Sequence, residues 1–218
     1  MNDITPWIVL LVLGAFHGLN PAMGWLFAVA RGVQERDRSE VTGSLIPIAT
    51  GHALSVGAVV AVFGVLQSTV NQDAVRYGSA AALIGFGLFK LLKPRSHPKW
   101  VGMRVGRGML VLWSFLMASA HGAGLMLVPA LGSATAAASV AGDPHVATAG
   151  VGAGRAGMAA AVVAVHTVAM LIVTGGVAIV VFDRIGVSFL RKAWFNVDLL
   201  WAAALVLAGL YVVVLGVG

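Results

Sequence analysis

Cysteine is absent from the 218 residues, which excludes disulfides, thiolate metal sites and thiol redox chemistry together. Charge is nearly as scarce. Asp, Glu, Lys and Arg make up 10% of the chain, against about 25% in an ordinary soluble domain. Acid is the scarcer sign, with 8 Asp and Glu against 14 Lys and Arg. So few charges cannot cover a water-facing surface, and a soluble globule is excluded. What is present is apolar: 59% of residues are hydrophobic and the mean hydropathy is +0.94. The chain reads as an all-α integral membrane protein.

A spanning helix needs about 20 mostly apolar residues. Six segments meet that criterion, at roughly 6–30, 44–66, 77–93, 109–131, 156–182 and 197–217. The first is expected to be retained, because Met1–Trp7 carries Asp3 and none of the Lys or Arg of a signal peptide. Basic residues alternate between connections. Arg31, Arg36 and Arg38 follow the first span; Lys90, Lys93, Arg95, Lys99, Arg104 and Arg107 follow the third; Arg184, Arg191 and Lys192 follow the fifth. Only Arg76 and Arg155 lie elsewhere, so these three connections are expected in the cytoplasm and both termini outside. A net charge of +6 distributed this way points to anionic lipid, not to nucleic acid. The 132–155 connection, rich in Ala and Gly around Asp143-Pro144-His145, reads as an external segment.

The two halves resemble each other in order. F-H-G-L-N-P-A-M, T-G-H-A-L-S and S-A-A-A-L-I-G-F-G-L-F occupy the first three spans, and A-H-G-A-G-L-M-L-V-P, V-H-T-V-A and W-A-A-A-L-V-L-A-G-L-Y the last three. Three spans per unit is an odd number, so the second unit enters the bilayer from the opposite side. The expected architecture is six transmembrane helices as two inverted three-helix repeats, 1–93 and 109–218, joined by a basic cytoplasmic loop at 94–108. Such repeats place a binding site near the midplane where they meet. Pro21 and Pro129, each soon after a histidine, are expected to break the first and fourth spans.

His17, His52, His121 and His166 each fall near the centre of a different span, whereas His97 and His145 fall in connections. Ionisable groups at that depth are costly and mark functional sites. Four imidazoles at one level make a candidate site for Ni, Co, Zn or Cu as the transported ion, with no resident cofactor expected. Asn20, Ser55 and Thr167 are candidates to contact substrate, and Thr50 and Ser119 to steady the rings. Met117, four residues before His121, and Met170, four after His166, share helix faces with them and offer softer thioether ligands. No acid lies deep in a span, which counts against hard cations such as Mg or Ca. Trp7, Trp100, Trp194 and most other tryptophans read as interface anchors, and Gly14 with Gly18 as a close-packing stripe.

At Gly14–Gly24, G-A-F-H-G-L-N-P-A-M-G, the sequence resembles the nickel and cobalt exporters of the RcnA/NicO group in the wider LysE-type transporter superfamily, whose first conserved helix carries G-A-x-H-G-L-E-P-G-H-S. T-G-H-A-L-S at Thr50–Ser55 resembles the S-H-T-like motif of that group's next conserved helix. The resemblance covers most of the first half, and reaches the second half through the repeat. It implies a bacterial inner-membrane transporter in which His17 and His52 belong to the metal site. Asn20 stands where the group has Glu, and Met23 where it has a second His.

The expected function is therefore transport, not catalysis: a secondary transporter working by alternating access on a transition-metal cation. Its expected partners are the lipid bilayer and a small cation or solute, with a homo-oligomer left open. Two competitors stand beside it. One is an exporter of an amino acid or other small organic solute on the same fold; the other is an electron-transfer protein with b-type haem held by paired histidines.

Overall fold

The computed structural model describes residues 4–92, 106–128, 151–185 and 197–215. Helix is the only regular structure among them. In chain order the helices are α1 (Thr5–Leu19), α2 (Trp25–Glu35), α3 (Arg38–Gly43), α4 (Leu45–Thr69), α5 (Gln72–Leu92), α6 (Arg107–Ala120), α7 (Val151–Val180) and α8 (Val197–Leu215). A 3₁₀ turn, Pro21–Met23, joins α1 to α2, residues 123–128 form a further helical turn after α6, and a π turn, Val181–Ile185, extends α7.

Three helical stretches are long and apolar enough to cross a membrane by themselves: Arg38–Gln67, Asp73–Leu92 and Ala156–Arg184. Their outer faces carry large exposed apolar side chains such as Leu54, Val62, Leu92 and Ile172, while His17, His52, His121 and His166 are buried. This apolar outside and polar inside is the distribution expected of a chain whose solvent is lipid. The remaining apolar helices are shorter, and two of them are short because they are interrupted. A helix like α1, of 15 residues, rises only about 22 Å against a hydrocarbon core of about 30 Å.

The first interruption has a local cause. Proline disfavours the helical conformation in the residue before it, and Asn20 is extended at φ −70°, ψ 121°. Its side-chain oxygen accepts from the Ala22 amide at 3.0 Å, capping the 3₁₀ turn. Gly24 then takes φ 124°, a value that L side chains rarely adopt, and the chain restarts as α2. The span expected at 6–30 is therefore two helices and a turn. In α6 the break falls at His121–Gly122, with Gly122 in the left-handed region at φ 65°. That is ahead of Pro129, the residue expected to cause it, which lies outside the described residues, as do His97 and His145.

Helices opened at membrane depth must re-satisfy their carbonyls, and side chains do so here. Thr174 Oγ1 donates to the Gly18 carbonyl at 3.3 Å, Trp25 Nε1 to that of Leu19 at 3.1 Å and Trp113 Nε1 to that of Ala22 at 3.1 Å. At the second break, Trp201 Nε1 donates to the His121 carbonyl. This corrects the reading of the tryptophans: Trp25, Trp113 and Trp201 are buried caps of broken helices, not interface anchors.

The packing directions follow from glycine contacts. Gly14 lies against Ala169 and Gly18 against Val173 and Thr174, so α1 and α7 are parallel. Gly51 meets Ser114 and Phe115, and Ser55 meets Ser119, so α4 and α6 are parallel as well. Gly87 meets Ala202 and Val206 while Gly209 meets Ala80 and Ile84, which makes α5 and α8 antiparallel. Leu45 lies against Gly175 and His52 against His166, so α4 and α7 are antiparallel too. At one end of the bundle, Glu40 pairs with Arg31 and, at 3.6 Å, with Arg107, and Arg38 with Asp183 at 3.3 Å. Residues from three separate basic connections thus gather at one end.

Candidate functional site

Two apolar clusters bracket a polar layer. Met23, Trp25, Phe27, Ile48, Leu110, Trp113, Met117 and Ala178 belong to one, and Leu10, Val56, Val60, Phe63, Ala118 and Val162 to the other. Along α4, His52 falls between Ile48 and Val56; along α7, His166 falls between Val162 and Ala178; in the first half, His17 falls between Leu10 and Met23. Each helix therefore carries its histidine through a layer sealed on both sides by packed apolar groups.

The rings of His17, His52 and His166 form a nearly equilateral triangle. Ring centres are 5.2 Å apart for His17 and His52, 5.3 Å for His17 and His166, and 5.4 Å for His52 and His166. The first two pairs meet edge to face and the third is stacked with 19° between planes. The close α1–α7 contact makes this possible. A Cβ on Gly14 would stand 2.9 Å from that of Ala169, and one on Gly18 2.9 Å from that of Val173, so a larger residue at either position would push His17 away from His166.

All six ring nitrogens of the three histidines are buried and none has a side-chain hydrogen-bond partner; among the described residues, the backbone of Leu13 lies beside His17 and that of Leu10 beside His166. An unsatisfied buried polar group costs about 1–3 kcal/mol, so three buried rings meeting with so few partners require an account. Neutral imidazole presents one lone pair and one N–H, and a cation placed between three lone pairs would satisfy them at once. The spacing fits: on a tetrahedral ion with metal–nitrogen bonds of about 2.1 Å, two ligating imidazoles have centres about 5 Å apart. Among the described residues, no three His, Asp or Glu side chains already converge as a finished metal site. The two observations concern different atoms. Rotation of an imidazole about its Cβ–Cγ bond redirects its nitrogens while moving the ring centre little, so the spacing of the centres and the direction of the nitrogens are separate properties.

His121 stands apart from the triangle. It caps α6, and its Nδ1 donates to the Met117 carbonyl at 2.8 Å. It remains within electrostatic reach of His17. Trp201 joins the two histidines, its ring centre 3.9 Å from that of His17 with 72° between planes and its indole N–H on the His121 carbonyl. Trp201 also stacks on Phe16 at 5.4 Å. Sequence reasoning passed over Trp201 as a site residue; the signal available was its place at the head of the repeated A-A-A-L motif.

The other candidates divide. Thr167 is buried beside His166 with an unpartnered hydroxyl, and so adds an oxygen to the layer. Ser55 is paired with Ser119 at 2.8 Å across α4 and α6, and Asn20 is engaged in capping. Thr50 is exposed and donates to the Ile46 carbonyl. Met170 and Met117 are both buried, Met170 with its sulfur 3.2 Å from the Thr174 hydroxyl. No carboxylate reaches the layer among the described residues.

No protein-family model matches this chain, and neither the curated proteins nor the solved structures provide a match. The functional reading therefore rests on the residues themselves.

Proposed function

We propose that the chain is a membrane transporter of six spans in two inverted repeats, moving a transition-metal cation through a site made by His17, His52 and His166. The observation that carries this reading is the triangle: three buried imidazoles at nearly equal spacing, none with a side-chain hydrogen-bond partner. Neutral nitrogen ligands with thioethers nearby and no carboxylate suit Ni, Co, Zn or Cu better than Mg or Ca. The resemblance of Gly14–Gly24 to nickel and cobalt exporters points the same way.

The packing supports the repeat. Aligning α1 with α6, α4 with α7 and α5 with α8 turns the parallel α1–α7 contact into the parallel α4–α6 contact. Adding 122 to Ala80, Ile84 and Gly87 reaches Ala202, Val206 and Gly209, and the two sets contact each other reciprocally. Equivalent helices that lie antiparallel, as α5 and α8 do, call for a two-fold axis in the membrane plane; one along the membrane normal would leave them parallel. The basic connections gathered at one end support a cytoplasmic placement of that end.

The triangle also favours a single ion over b-type haem, whose two axial imidazoles face each other across the macrocycle. Elemental analysis and titration of the purified protein with Zn, Ni, Co and Cu test the reading. One ion per chain is expected, with affinity falling at least 100-fold in His52→Ala. Thermal stabilisation by an amino acid, with none by any of the metals, would select an organic solute instead.

A further inference from the structure

We infer that His121 is the alternate third ligand: in a second conformation it joins His52 and His166 while His17 withdraws, so that the ion is passed between two overlapping histidine triads. The inference rests on the proposed reading above, and adds which residues exchange as the site changes sides.

In the repeat alignment His17 corresponds to His121 and His52 to His166. The second pair is self-corresponding, and its rings lie 5.4 Å apart, close enough for a two-fold axis to pass between them. The first pair is not in equivalent positions. His17 closes the triangle with both members of the central pair, while His121 is turned back on its own helix. Two halves of equivalent pattern thus hold their third histidine in two different states within one structure. A protein built this way has a second arrangement with the roles reversed, and alternating access needs two such states about one site.

The backbone shows what would change. Helix α1 continues two residues beyond His17, to Leu19, whereas α6 ends at Ala120, one residue short of His121. The interruptions therefore differ by about three residues, close to one helical turn. Winding α6 onward through His121 while α1 unwinds toward Phe16 interchanges the two states. With its Nδ1–H on the Met117 carbonyl, the tautomer of His121 is the one usual for a metal-bound imidazole. Trp201 touches both exchanging residues, through its ring on His17 and its N–H on the His121 carbonyl, which makes it the coupling between the two interruptions.

The test uses the full-length protein with cobalt(II) as the probe, its binding read by visible absorption in detergent and its passage read in proteoliposomes. His17→Ala and His121→Ala are each expected to bind within about tenfold of the unaltered protein, because each retains one triad, and each to lose at least tenfold in transport. The double variant is expected to bind at least 100-fold more weakly. His121→Gln, as a gentler substitution, should behave as His121→Ala. The inference is overturned if His17→Ala alone weakens binding as much as the double variant, or if either His121 variant transports as the unaltered protein does. Should the unaltered protein bind no cobalt(II), the metal reading falls, and the exchange is judged separately. With no native cysteine, His121→Cys combined with His166→Cys can be treated with a short bis-maleimide cross-linker. Cross-linking above that of the single-cysteine variants supports the exchange, and its absence in correctly folded protein overturns it.

Discussion

At the first interruption the helix runs past His17 before Pro21 stops it, and the opened carbonyls of Gly18, Leu19 and Ala22 are met by Thr174, Trp25 and Trp113. At the second, the helix stops at His121 itself, whose carbonyl is met by Trp201 and whose ring turns back to Met117. The difference lies in what closes the break. Where distant side chains satisfy the backbone, the histidine is left to face the other rings; where the histidine takes part in the closure, it is held away from them. A small change in where a helix ends thus decides whether an imidazole is structural or belongs to the site.

Substitutions at the two interruptions should separate these roles. The largest effect is expected for Gly24→Val, where the new side chain meets both a φ of 124° and Ile48, 2.9 Å from the Cβ position. Strain and overpacking together are expected to cost about 3 kcal/mol, measured by unfolding in detergent. Gly14→Leu should come close behind, at about 2–3 kcal/mol, and should also weaken metal binding, by no more than His17→Ala does, by separating His17 from His166. If Gly14→Leu binds metal normally, the α1–α7 contact does not position the site. Gly122→Ala is expected to cost only about 1 kcal/mol, because its nearest neighbours, at 3.0 Å or more, are side-chain atoms of Phe86 and Leu205 that can shift. Asn20→Ala should cost about 1 kcal/mol through loss of the cap, with Asn20→Ser retaining most of it. An equal loss in both would show that the cap is not what Asn20 contributes.

The smallest effect lies outside the membrane, at Asp37. Hydrogen bonds from the Ser39 hydroxyl at 2.7 Å and backbone N–H at 2.8 Å hold its carboxyl below the usual carboxylate range. Because the folded state favours the ionised form, this contribution is present above the ordinary carboxylate range and disappears as pH falls through the lowered value. Asp37→Asn is expected to flatten that acid-side loss slightly while leaving metal binding unchanged, as a pH series of melting temperatures would record.

Much of this was legible beforehand. Apolar length located α4, α5 and α7 within a few residues, because hydropathy and helix length are local properties. The Asn20-Pro21 break was legible too, since proline acts on the residue before it. For the second break only the span was legible, not the position: Pro129 lies seven residues beyond Gly122, and a proline restricts the residue immediately before it. Nor could Trp25 and Trp113 be told from interface anchors, because their distinction lies in which carbonyl each indole reaches.

The sequence by itself determined that the chain is made for lipid, that its basic residues alternate between connections, and that four histidines lie within separate apolar segments. These follow from composition and spacing, which are additive along a chain. Only the tertiary structure decided that His17, His52 and His166 meet at 5.2–5.4 Å while His121 stands aside. Meeting depends on the angle at which helices distant in sequence approach, and here glycines on α1 and α4 and the place where two helices stop set that angle.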